Sequence, residues 1–419
     1  MKKTILGVGL AILIACSAIL LLGQSIQHET TAINIEVPVR VYKGDDFVDS
    51  LTIDDFEVYD DGELQTLEAV YLIKKTSIER KDENRTFLPD IGRHFYLFFE
   101  MGEYDPKIRT GIEYFVKEVL LPEDELIIVT PMRPYRMKSE TFQVIGRGRV
   151  YDDLMGLLRR DILMGTAEYR ATLEDLKGLA QSLTAELALA DESTLNAMES
   201  FDPFSTSAGL FRDGPSFEER LQIYLMYLNR LENLRIVEES RLTNFATYLK
   251  NQPGQKEVFL FYQREFLPKI EPKVLTAYMS LFNDRPDLIQ TISGLFEFFR
   301  RDSTLNIDFV KKAFSDSSAA VHFLYITRPA DRIPGIVMEE QSEDVFAAFS
   351  EMSRATGGFS STSANVEFSM KAAVAASENY YLLYYVPKNY RLDGRFHNLQ
   401  IKVKSGNFRV SHRLGYIAD

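Results

Sequence analysis

Three carboxylates crowd the end of one apolar run. In His94–Asp105, HFYLFFEMGEYD, Phe95–Phe99 lead into Glu100, and Met101-Gly102 carry the chain on to Glu103, Tyr104 and Asp105. Carboxylates at this spacing could hold a hard divalent cation, which prefers oxygen ligands, or meet a partner directly. Either use needs a scaffold that sets the side chains on one rim. An apolar run entering a glycine turn and then a helical pattern, Pro106–Leu120, reads as the first strand of a parallel sheet covered on both faces. Ligands on such sheets bind beyond the carboxyl ends of the strands.

The rest of the chain supplies that scaffold. Apolar runs at Glu125–Met132, Glu257–Tyr262 and Ala319–Ile326 read as further buried strands, and Met137–Ile145 as an edge strand. Helical patterns alternate with them at Val150–Leu163, Val274–Arg301, Ile307–Ser315, Ser342–Thr356 and Val366–Ser377. Two long patterns stand apart. Tyr169, Leu173, Leu176, Ala180, Leu183 and Leu187 recur at spacings of three and four, a coiled-coil seam. A second pattern runs from Phe217 to Lys250 and stops at Asn251-Gln252-Pro253-Gly254. Together they predict a helical hairpin over about 164–250, with a Ser-, Asp- and Gly-rich tip at Asp191–Ser216.

Both ends of the chain are β-rich. Ile33 to Val41 alternate with a period of two, Asp60-Asp61-Gly62 is a hairpin turn, and Leu67–Ile73 is the return strand. Residues 76–90 are charged and polar and read as a linker. Tyr380–Val386, Phe396–Val403 and Phe408–His412 read as strands at the other end. The expected fold class is therefore α/β. Its parts are an N-terminal β segment at 30–75, an α/β domain at 91–377 and a C-terminal β segment at 378–419.

Residues 1–25 have the form of a targeting segment. Lys2 and Lys3 precede the apolar run Ile5–Gly23. Three readings fit it: an uncleaved membrane anchor, a cleaved signal peptide, or a lipoprotein signal. In the last case Leu13-Ile14-Ala15-Cys16 is the lipobox and Cys16 the lipidated residue. All three carry the body across a membrane, so the expected location is extracytoplasmic: periplasmic, membrane-anchored or secreted. Cys16 is the sole cysteine among 419 residues, so an internal disulfide is excluded. A net charge of −13 argues against nucleic acid as a partner.

Several of these pieces, in order, resemble a family. They are Val37–Val41, Asp54–Gly62, Pro253–Lys256, Thr356-Gly357-Gly358, Tyr381–Pro387, Asp393–His397 and Arg413–Tyr416. The chain resembles the acidobacterial-type proteins related to the von Willebrand factor A domain. The resemblance implies a secreted, Rossmann-like A domain between β segments, with a metal-ion-dependent adhesion site of the form Asp-x-Ser-x-Ser after its first strand. The matching positions here are Glu100-Met101-Gly102-Glu103-Tyr104. The aspartate is replaced by glutamate and both serine hydroxyls are gone. Where a later strand of such proteins carries Ser-Asp-Gly, this chain has Gln263-Arg264, leaving Glu265 as the one stand-in carboxylate. The motif is degenerate, and the expectation is no metal and no cofactor. Mg²⁺ or Ca²⁺ would be the cation if altered ligands retained one.

No Gly-x-Ser-x-Gly elbow, Walker loop or HExxH motif is present, and the five histidines are scattered. The expected role is noncatalytic: an extracytoplasmic protein-binding module using Glu100, Glu103, Tyr104, Asp105, Gln263 and Arg264. Two alternatives remain, a metal-dependent adhesion module with altered ligands and a scaffold acting through the helical hairpin.

Overall fold

The long apolar runs pair with one another. In the computed structural model, which describes residues 33–138, 144–196, 215–235, 237–299 and 305–419, the runs meet in one six-stranded sheet. Its strands in chain order are Arg93–Glu100, Glu125–Val129, Pro134–Met137, Gln255–Gln263, Ala319–Ile326 and Ser360–Ser363. Numbered that way, their spatial order is 3-2-1-4-5-6. All pairs are parallel except the edge strand Pro134–Met137, which runs antiparallel to Glu125–Val129. Strand order reverses between Arg93–Glu100 and Gln255–Gln263, which sit side by side with Glu100 opposite Tyr262.

Each face of this sheet is apolar, as the unbroken runs require. Phe95, Leu97, Phe99, Phe259 and Phe261 pack under helices Ile108–Tyr114, Arg147–Gly165 and Val366–Glu378. The rings of Phe99 and Phe261 stack at 4.7 Å. On the other face Tyr96, Val258, Leu260, Val321 and Phe323 meet helices Glu239–Lys250, Ile307–Asp316 and Glu343–Ala355. Gly254 makes the entry to the central strand. Its φ is +70°, and a Cβ there would lie 2.5 Å from the Gly92 carbonyl. The fold is mixed α/β with several sheets.

The two terminal segments share sheets instead of forming separate pieces. Asn379–Tyr385 lies between Ile35–Lys43 and Leu67–Lys74, antiparallel to both. Phe396–Val403 pairs with Phe56–Asp60 on one side and Gly415–Ile417 on the other. The expected linker at 76–90 is corrected: Ser77–Glu83 is a strand on the edge of the first of these sheets. Its side chains alternate between half-buried and exposed but are nearly all polar, so hydrophobic periodicity has nothing to register. The expected edge strand at Met137–Ile145 lies earlier, at Pro134–Met137, and residues 139–143 are outside the described residues.

The helical hairpin forms, with one change. Tyr169, Leu173, Leu176, Ala180 and Leu183 are buried against Leu221, Tyr224, Leu228 and Leu231. The same cluster takes in helices Pro272–Leu281 and Pro286–Phe298 and the two-stranded ribbon of Phe266–Ile270 with Ile336–Glu340. The described part of the seam, Tyr169 to Leu183, is thus consumed within the molecule. The second helix is not continuous from 217 to 250. It is split into Phe217–Arg235 and Glu239–Lys250, with Glu238 extended. The break follows Arg235, whose guanidinium is held by the Glu265 carboxylate and the Gln341 carbonyl. Residues 197–214 of the expected tip, and Cys16 with the rest of the leading 32 residues, lie outside the described residues. Among the described residues no helix is long and apolar enough to cross a membrane. Ile35–Asp419 is one compact unit.

Candidate functional site

The carboxyl ends of the central strands open into a cavity of about 600 Å³. Its lining includes the apolar Phe98, Leu260, Phe245 and Phe349 and the charged Glu100, Arg235, Arg241 and Glu265. The broken second helix contributes Arg235 and Arg241 to this lining. Ending at Arg235 and restarting at Glu239, it brings Arg235 and Arg241 over the strand ends.

Alternation along Arg93–Glu100 decides where Glu100 points. Phe95, Leu97 and Phe99 fill one core, so Tyr96, Phe98 and Glu100 take the other face. The Glu100 carboxylate keeps accessible surface inside the cavity, yet protein surrounds it. Burial raises its pKa above the ordinary carboxylate range, the charge of Glu265 raises it further, and Arg241 opposes both. Among the described residues no lysine, arginine or histidine forms an ion pair with Glu100. Glu265, by contrast, is satisfied. It pairs with Arg235, accepts from the Tyr262 hydroxyl at 3.4 Å, and its backbone N–H donates to Ser342 Oγ at 3.3 Å.

The other expected site residues separate into different roles. Glu103 stays near Gln263: its backbone N–H donates to Gln263 Oε1 at 3.1 Å, and its carboxylate pairs with Arg328 at 2.9 Å. Arg328 Nε also donates to the Arg264 carbonyl at 3.0 Å, while the Arg264 side chain pairs with Glu340 at 3.1 Å. Glu103, Gln263 and Arg264 therefore form one pinned loop. Tyr104 does not join them. It packs against the opposite core, where burial raises its phenol pKa. Asp105 does not join them either. Its carboxylate accepts the Lys107 N–H at 2.9 Å and fixes the turn into helix Ile108–Tyr114. The expected surface of six converging residues is thus corrected to Glu100 alone facing the cavity, with a pinned loop beside it. The cause is the strict alternation of the strand and the turn that follows it.

Only part of this lining is legible in the sequence. Glu265 was visible as a stand-in carboxylate. Arg235, Arg241 and Tyr169 belong to helices whose patterns showed only apolar seams. Gly102 gives the packing reason for one of them: a Cβ there would stand 3.2 Å from the Tyr169 ring and 3.6 Å from Glu265. Among the described residues the rim has no three-ligand cation cluster. Among the described residues, a group of three acidic or histidine side chains with ligand atoms within 4.8 Å of one another occurs elsewhere, at Asp60, Asp61 and His397.

No family model and no curated protein matches this chain. Among solved structures the human COPII-coat protein Sec24c is similar at 11% identity with a TM-score of 0.25, covering 81% of this chain and 45% of that one. A score that low carries no argument about fold or function.

Proposed function

We propose that the protein is a noncatalytic, extracytoplasmic binding module of von Willebrand A type that works without a metal and takes a partner's cationic side chain into the cavity at Glu100. The fold-level support is the strand order 3-2-1-4-5-6, the doubly wound Rossmann order, whose binding crevice lies at the point of reversal. Glu100 stands at that point. The observation that carries the reading is its carboxylate: exposed to a largely apolar cavity, enclosed closely enough by protein that its pKa is raised, and without an ion pair among the described residues. A partner's lysine or arginine offers an apolar stem for the apolar lining and a charge for Glu100. This inverts the usual logic of an adhesion site, where the protein holds a cation and the partner brings a carboxylate.

Calorimetric titration with hexylammonium chloride tests the reading, with hexanoate as the charge-reversed control. Saturable binding of the amine only, lost in Glu100→Gln, is expected. Absence of amine binding, or equal binding by the variant, overturns it. Tight Mg²⁺ or Mn²⁺ binding that disappears in Glu100→Ala would replace it with the metal-dependent alternative. The scaffold alternative gains no observation, because the described part of the hairpin seam is buried internally.

A further inference from the structure

A second constellation, which shares no residue with the cavity lining, lies where the two terminal β segments meet. Asp60 ends the strand Phe56–Asp60, Asp61 begins its tight turn with φ 47°, and His397 lies on the paired strand Phe396–Val403. His397 Nδ1 is 3.1 Å from Asp61 Oδ2 and 3.7 Å from Asp60 Oδ1.

The hydrogen bonds around these groups leave one oxygen of each carboxylate over. Asp60 Oδ2 accepts from the hydroxyls of Tyr385 and Tyr416, each at 2.8 Å. Asp60 Oδ1 is buried with no hydrogen-bond partner, on a residue only 7% exposed. Asp61 Oδ1 accepts the Asn398 N–H at 2.8 Å, which leaves Oδ2 facing the imidazole. On the far side of the ring, His397 Nε2 faces Asp393 Oδ1 at 3.7 Å, and the ring stacks on Tyr416 at 5.3 Å. Among the described residues neither Asp60 nor Asp61 pairs with a lysine or arginine. Three carboxylates therefore surround one imidazole, and a buried lone pair is orphaned. Native structures rarely leave such a group unsatisfied.

We infer that Asp60, Asp61 and His397 form a zinc-class divalent cation site. Two ligands of a tetrahedral zinc at about 2.1 Å stand ~3.4 Å apart, and the observed 3.1 and 3.7 Å bracket that separation. The remaining oxygens are held as outer partners of a metal-ligating carboxylate are held, and Asp393 is placed to receive the Nε2–H of a metal-bound imidazole. One imidazole among carboxylates favours Zn²⁺ over Mg²⁺ and Ca²⁺, which prefer all-oxygen sites. The cation would clamp the Asp60-Asp61-Gly62 turn to the strand carrying His397, more than 300 residues later in the chain.

The test uses the full chain after chelator treatment, titrated separately with ZnCl₂, MgCl₂ and CaCl₂ and followed by calorimetry and thermal melting. One saturable Zn²⁺ site with a raised melting midpoint is expected, together with at least about tenfold weaker binding in His397→Gln and in Asp61→Asn. Asp61 is half exposed, so Asp61→Asn is the informative variant if His397→Gln fails to fold. Glu100→Gln is expected to bind Zn²⁺ as the parent does. The inference is overturned by an absence of saturable Zn²⁺ binding, by unchanged binding in Asp61→Asn, or by Mg²⁺ or Ca²⁺ binding as tight as Zn²⁺.

Discussion

The two ends of the central sheet treat their charged groups in opposite ways. At the amino end, Glu257 is held on both oxygens: Arg40 pairs with Oε1 at 3.3 Å, and His322 Nε2 lies 2.6 Å from Oε2. His322 Nδ1 accepts the Phe359 N–H at 3.2 Å, so the ring's proton sits on Nε2 and faces the carboxylate. Burial lowers the His322 pKa. Arg93 and Asp124 form a second closed pair beside them, at 2.9 Å between Nε and Oδ1. At the carboxyl end, Glu100 stands on a neighbouring strand of the same sheet with no such partner. One end spends its charges on joining the β sheets to the α/β layers. The other leaves a carboxylate open to a cavity. A charged group is structural where its partners are complete and a candidate for recognition where they are not.

Breaking the amino end is expected to have the largest effect. Glu257→Ala strands Arg40 in the core and is expected to cost about 3–5 kcal/mol in denaturant unfolding. Arg235→Ala comes next at about 2 kcal/mol, since Arg235 and Glu265 keep some exposure. A smaller loss from Glu257→Ala than from Arg235→Ala would reverse the comparison. Glu103→Ala removes a half-exposed pair with Arg328 and is expected to cost about 0.5 kcal/mol.

The smallest change has the opposite sign. Glu100→Gln removes an unpaired charge and is expected to leave stability at pH 7 unchanged or higher. The raised folded-state pKa of Glu100 means that its contribution to stability is fully present below its unfolded value and is lost as pH rises through the folded one. The stability difference between parent and Glu100→Gln should therefore shrink on acidification, in unfolding curves measured from pH 7 to pH 4. A pH-independent difference would mean that Glu100 already has a partner.

What could be read in the sequence follows from how each element is stabilised. Four of the sheet strands announce themselves as apolar runs because both their faces are covered. Ser360–Ser363 does not: it is short and polar, and its Ser361 hydroxyl is satisfied by Ser369 at 2.8 Å. Ser77–Glu83 is hidden for the related reason that an edge strand can be charged on both faces. The position of Glu100 at a strand end is legible, but the charged groups around it are not. Arg235 and Glu265 come together only through a helix break that an apolar stripe continuing past it conceals. The Asp60–Asp61–His397 constellation is not legible in local histidine spacing, because strand pairing sets the relevant distance.

The pairing of Ile35–Lys43 with Asn379–Tyr385 also sets an order of events. The first strand of the β sheet cannot find its neighbour until the ribosome has added more than 300 residues, on the order of tens of seconds at ordinary elongation rates. Until then its backbone groups are an unpaired template of the kind that invites aggregation. Folding of this protein is therefore expected to finish only after synthesis of the last strands, slowly, as sheets of high contact order do. The α/β core can condense earlier, with the terminal sheets closing last.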